Sequence, residues 1–252
     1  MSMNGILVPL DSLPSRGIPY PEDISLFVKP LKIKDQIDME RYGITDAEYF
    51  RILLEGINIE GNFKKEDLIH FDVQFLDLAR RLFSFDTDEA IIIKDLKCSN
   101  PDCGASFDYS FKIQDIEFED LDKEIFGKHV KLGEGTDDEL ELVISPLTVS
   151  EYMKMSRALK NYKDKRTLLS SMYSEYVCYC TKEVVGRQFK DMKDRDSYLK
   201  GYIDDLYRAK DKKIIRQITD DTIIKIKPFK HVCDDCEEET EVIVTPSSNF
   251  QQ

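Results

Sequence analysis

Four cysteines constrain this chain more than any other feature. Cys98-Ser-Asn-Pro-Asp-Cys103 has C-x4-C spacing, and Cys233-Asp-Asp-Cys236 has C-x2-C spacing. Each pair lies between two segments that alternate apolar and polar residues, the pattern of half-buried strands. Ala90 to Leu96 and Ser106 to Ile113 flank the first pair, and Ile223 to Phe229 and Glu239 to Thr245 the second. A short turn between strands points both sulfurs at one centre, and Gly104 suits the left-handed backbone such a turn often needs. A structural zinc takes four tetrahedral ligands, and each pair offers two. The expectation is one structural Zn2+ held by Cys98, Cys103, Cys233 and Cys236, with no open position for a reacting water. Plain thiols, and a disulfide within each pair, are the alternatives the spacing leaves open. His231 is read as a surface residue, with replacement of a cysteine ligand as the alternative. Cys178 and Cys180 fall in a predicted helix, where residues two apart face different ways, and are read as thiols outside the site.

Six cysteines in 252 residues are too few for a disulfide scaffold, which fits metal in a reducing compartment. The formal net charge of −13 and a pI of about 4.8 argue against a nucleic-acid partner, because no Lys/Arg run builds a positive face. No stretch of 18 apolar residues is present, so no membrane span is expected. The first ten residues lack the basic and apolar regions of a secretory signal. No Gly-rich phosphate loop, His-x-x-x-His or Gly-x-Ser-x-Gly is present, and His70, His129 and His231 are scattered. The chain is read as a non-enzyme without a small-molecule substrate, and an enzyme whose site is invisible to motif reading is an alternative.

The periodicity predicts an α+β fold. Ile24 to Leu31 and Leu140 to Leu147 read as strands, and Thr45 to Ile57 and Asp72 to Phe85 as helices. Three more helices are expected, roughly over 148–162, 164–185 and 194–217. Thr45-x-x-Glu48 and Thr148-x-x-Glu151 are capping boxes, in which side chain and backbone satisfy each other at a helix start. Residues 1–23 carry Pro14, Pro19 and Pro21 and read as an extended arm, packed on this chain or on a neighbour. Its candidate partner-binding residues are Leu13, Pro14, Arg16, Gly17, Ile18 and Tyr20.

Two segments resemble each other. Ile24-Ser-Leu-Phe-Val-Lys-Pro-Leu31 and Leu140-Glu-Leu-Val-Ile-Ser-Pro-Leu147 both run strand, Pro-Leu, helix. One constant shift aligns Leu26 with Leu142, Pro30 with Pro146, Leu31 with Leu147 and Met39 with Met155. The expected organisation is an arm (1–23), a first half with the C-x4-C knuckle (24–113), an acidic connector (114–139) and a second half with the C-x2-C knuckle (140–252). The two related halves would join through one shared zinc-ribbon-like site. Chance recurrence of strand-Pro-Leu-helix is the other reading.

Leu13-Pro14-Ser15-Arg16-Gly17, then Tyr20-Pro21, then a strand ending in Pro30-Leu31, resembles the opening of the baseplate-hub assembly proteins of T-even-type contractile-tailed phages. Cys233-x-x-Cys236, an acidic patch, a strand, Thr245-Pro246 and Phe250 are similar to that family's ending. The resemblance covers the two ends and the order of elements between them. This chain departs from it in length and in the Cys98/Cys103 pair. It implies a tail-baseplate protein that acts by binding other baseplate and tail proteins. Such a protein is made in the host cytoplasm and is either an assembly factor or retained in the virion. A zinc-ribbon regulator of host transcription or other machinery is the alternative.

Overall fold

The computed structural model describes residues 5–84, 90–112, 115–119, 122–160, 165–206, 209–223 and 225–244. They form a mixed α+β protein with seven α-helices and small antiparallel sheets among the described residues. Chain order splits into two series. The first runs β1 (Ile6–Val8), β2 (Ser25–Val28), α1 (Ile33–Glu40), α2 (Asp46–Glu55), β3 (Ile57–Glu60) and α3 (His70–Ser84), and ends in a hairpin of β4 (Ile91–Lys97) and β5 (Ser106–Phe111). The second runs β6 (Lys128–Leu132), β7 (Leu140–Ile144), α4 (Val149–Leu159), α5 (Lys165–Cys180) and β8 (Thr181–Val184). It continues with α6 (Met192–Asp204) and α7 (Ala209–Thr222), and ends in a hairpin of β9 (Phe229–Val232) and β10 (Glu239–Val242).

The sheets match in order and in register. β2 lies between β1 and β3, and β7 between β6 and β8, all antiparallel. Val28 pairs with Ile6 on one side and Ile57 on the other; Ile144 pairs with Lys128 and Thr181. Just past each central strand, the chain binds the end of the second helix of its series. The Lys29 amide donates to the Gly56 carbonyl at 2.8 Å, and the Ser145 amide to the Cys180 carbonyl at 2.9 Å. Both capping boxes are formed, at α2 and α4. Each halts fraying where a loop enters a helix.

Several expected boundaries are corrected. The connector 114–139 carries β6, so the second sheet begins before residue 140. The helix expected over 164–185 stops at Cys180, because buried, β-branched Thr181 pairs with Ile144 and starts β8. The helix expected over 194–217 is two helices, α6 ending at Asp204 and α7 beginning at Ala209. The strand expected over 223–229 is reduced to a bridge between Ile226 and Phe118, and β9 begins at Phe229.

The arm packs on this chain, one of the two expected placements, but as a strand and a folded loop and not as an extended strap. Its N-terminal part is strand β1, which precedes the helix-breaking prolines and pairs with β2. Leu13, Pro14, Ser15 and Tyr20 are buried. A carboxylate holds this loop down. Asp72, at the start of α3, accepts from the Ser15 amide at 2.9 Å and from the Tyr20 hydroxyl, which itself accepts from the Ile69 amide at 3.0 Å. Burial pushes the Asp72 carboxyl up to about 6. The second series repeats the device: buried Asp211, at the start of α7, accepts from the Gly133 amide in the β6–β7 turn at 2.9 Å.

The two series meet through α4. The Val149 amide donates to the Leu68 carbonyl at 2.8 Å, and the His70 amide to the Leu147 carbonyl at 3.1 Å. Tyr152 stacks on the His70 ring at 4.7 Å and lies 5.3 Å from Phe50. Val149 thereby joins the core of the first series, with Leu53, Leu68, Val73 and Leu76.

Candidate metal centre

The two terminal hairpins pack face to face. Inward aromatic residues hold them: Phe107 stacks on His231 at 3.8 Å, and Phe111 lies 4.8 Å from Phe229. Buried Val242 and Val244 complete a small core with Phe111 and Ile226. At one end of this module the two turns meet. The Ser99 amide of the first turn donates to Thr240 Oγ1 at 3.0 Å, and Ser99 Oγ to the Glu239 carbonyl at 3.2 Å.

Each turn is closed by its own backbone. The Cys98 amide donates to the Ala105 carbonyl at 3.0 Å, and the Cys233 amide to the Glu238 carbonyl at 2.9 Å. The residue after the second cysteine is left-handed in both: Gly104 has φ 69° and Glu237 has φ 60°. The expected glycine position is thus present twice, once occupied by a glutamate that lacks glycine's freedom. Amides also point at sulfur. Asn100 N donates to Cys98 Sγ at 3.4 Å. The Asp235 and Cys236 amides hold the Cys233 thiol down to about 7.

The turns bring Cys98, Cys103, Cys233 and Cys236 together, with all four sulfurs within 4.8 Å of one another. The close pairs cross between hairpins: Cys98 to Cys236 at 3.6 Å and Cys103 to Cys233 at 3.8 Å. A disulfide needs about 2.05 Å, and all four are free thiols. Zinc–sulfur bonds of about 2.3 Å in a tetrahedron put sulfurs about 3.8 Å apart, which the two cross-hairpin spacings match. The donor set and the amide–sulfur contacts therefore fit a metal ion that prefers thiolates.

The remaining candidates fall elsewhere. His231 is engaged in its stack on Phe107 and lies outside the cluster. Cys178 and Cys180 are buried in α5, and burial pushes the Cys180 thiol up to about 12. Of the arm residues, Leu13, Pro14 and Tyr20 are core residues and present no docking surface, which corrects that expectation. Arg16 and Ile18 are exposed. Arg16 and Gly17 take left-handed backbone, φ 56° and 73°, and a side chain on Gly17 would meet Leu10 Cβ at 2.8 Å. The Leu13-Pro14-Ser15-Arg16-Gly17 run is thus accounted for by the turn it makes. Sequence reading missed Asp72 and Asp211, since acids in a first helical turn are common for reasons of the helix dipole alone.

No family model matches the chain, and comparison with curated proteins and with solved structures returned no match.

Proposed function

We propose that this chain is a non-enzymatic assembly or structural protein whose four-cysteine centre holds one zinc ion, and that it serves the hub of a contractile phage tail. The observation that carries the zinc reading is the crossing of the sulfur pairs: each hairpin supplies one member of both. The bound ion would act as a cross-link between hairpins that close the two series, with four thiolates leaving no site for substrate. The matched sheets, loop clasps and terminal hairpins support an ancient duplication, in which each half contributed one knuckle of a zinc-ribbon-like centre. Zinc binding releases thiol protons, and the Asp235 and Cys236 amides already favour the thiolate form at Cys233.

The tail-hub placement rests on the resemblance of the two ends, and its activity is protein–protein binding in the host cytoplasm. Elemental analysis of the purified protein tests the metal: one zinc per chain is expected, and a metal-free, fully folded protein would sink that part. Mass spectrometry of purified tails from the phage encoding it, together with a deletion of the gene, tests the placement. Defective baseplates in the deletion are expected, and normal infectious tails would refute the hub role.

A further inference from the structure

The shift that aligns the two central strands also aligns the residues beyond them. Leu26 and Leu142, Val28 and Ile144, Leu31 and Leu147, and Met39 and Met155 are all buried. The same shift puts Ile33 on Val149 and Ile37 on Met153, and there the burial parts. Val149 is 0% exposed and Met153 packs on the first core, whereas Ile33 is 73% and Ile37 63% exposed. Pro30 is exposed where Pro146 is buried. This is the face by which α4 docks on the first series. On α1 the same apolar face is present and, among the described residues, nothing of this chain covers it. Ile33 and Ile37 stand one turn apart on one stripe of the helix.

An apolar stripe at a position where its twin makes a protein contact is an unfilled interface. Within the chain no equivalent shelf is open to it. The counterpart of α2 is α5, which α6 covers through the Lys200–Glu175 ion pair at 2.7 Å and Arg195, donating to the Thr181 carbonyl at 2.8 Å. The charges beside the stripe fit a copy of α1 itself. Lys34 and Asp38 follow Ile33 and Ile37, on the same flank, and neither makes an ion pair among the described residues. When two identical helices pack antiparallel about a two-fold axis, like flanks face each other and contacts are reciprocal. Lys34 then meets the second copy's Asp38, and Asp38 meets its Lys34.

We propose that the outer face of α1 is a self-association surface, on which two copies of this chain pair antiparallel through Ile33 and Ile37 with Lys34 and Asp38 bridged reciprocally. The inference is independent of the phage placement. A pair of short helices buries less than the roughly 1,200 Å² of a standard interface, so the dimer is weak and concentration-dependent.

Sedimentation velocity of the full, metal-loaded chain from about 1 µM to about 1 mM tests it. A reversible monomer–dimer equilibrium is expected in that range. Ile33→Asp should weaken it at least about tenfold, as removal of a central apolar anchor does. Lys34→Asp and Asp38→Lys should each weaken it about threefold, and the double exchange should restore it. Unchanged melting and zinc content show that each variant is folded; Ile33 and Lys34 are exposed and Asp38 is half-buried. A monomer over the whole range overturns the proposal, including the case in which a different protein covers the face. So does a dimer indifferent to Ile33→Asp, or a double exchange weaker than both single ones.

Discussion

The two series share one plan and differ in how they cover it. In the first, the loop between the outer and central strands is long, residues 9–24, and folds back as core, with Leu13 and Tyr20 buried. In the second, the same connection is the short turn 133–139, and an additional helix, α6, covers α5. Both loops are held by a carboxylate on the helix that leads to a cysteine hairpin, Asp72 in one case and Asp211 in the other. The constant elements are therefore the three-stranded sheet, the clasp and the knuckle. The cover is what varies, supplied by a loop in one half and a helix in the other.

The shared centre gives the largest test of that comparison. Cys98→Ser and Cys233→Ser, one in each half, should each abolish stoichiometric metal binding and unfold the hairpin module. Structural zinc is worth about 10–16 kcal/mol of apparent binding in small peptides, so the losses should be large. They should also be equal and non-additive, because either removes the same ion. Metal content and calorimetric melting of the two single variants and the double variant measure this. A single variant that keeps its zinc would break the equivalence of the halves.

The long loop gives the next. Leu13→Ala removes a fully buried side chain, and a loss of about 2–5 kcal/mol is expected in denaturant unfolding. Were the loop merely an arm, the change would be close to neutral. Shortening the second turn within 134–137, whose residues are exposed, should be far milder.

The contact between the halves should titrate. His70 lies under Tyr152 with Nδ1 3.0 Å from the Leu147 carbonyl, and burial pushes its imidazole down to about 4. The folded value lies below the unfolded one near 6.5, so this contribution is complete above about pH 6.5 and is lost as pH falls toward 4. Asp72, pushed up to about 6, has the opposite sense: its contribution is complete below about pH 4 and is lost as pH rises through 6. The difference between the natural chain and His70→Gln isolates the histidine. The natural chain should lose up to about 3 kcal/mol more between pH 6.5 and 4. Parallel stability curves would place His70 outside the contact.

The knuckles give the smallest. Glu237 occupies the left-handed position that Gly104 fills in the other turn. Glu237→Gly should stabilise the module by about 1 kcal/mol, and Gly104→Ala should destabilise it by a similar amount. Both are read from metal-loaded melting temperatures, and equal signs would mean that the turns are not equivalent.

Much of this was legible locally. The cysteine spacings, the flanking alternation and the two capping boxes are short-range signals, and the structure places Cys98, Cys103, Cys233 and Cys236 together as the sequence suggests. What escaped is long-range. The prolines of the first loop leave open whether it packs on this chain or on a neighbour, and Asp72, far along the chain, decides it by holding the loop against α3. Lys128-His129-Val130-Lys131-Leu132 is a weak strand signal, made secure by register with β7. Thr181–Val184 follows an apolar helix without a break, and only its pairing with β7 ends that helix. The shared order of strands and helices was visible as a repeat, but not the covering elements that distinguish the halves.

The crossing of the sulfur pairs also fixes a sequence of events in synthesis. Each close pair joins residues 130 or more positions apart, Cys103 to Cys233 and Cys98 to Cys236. Half of the ligand set emerges from the ribosome long before the other half exists. Until translation passes Cys236, the first knuckle is a bare dithiol, open to oxidation or to the wrong metal. Both sheets can form while the chain is still growing, since their strand pairings lie within one series. On the zinc reading proposed above, metal capture waits until both knuckles have been made.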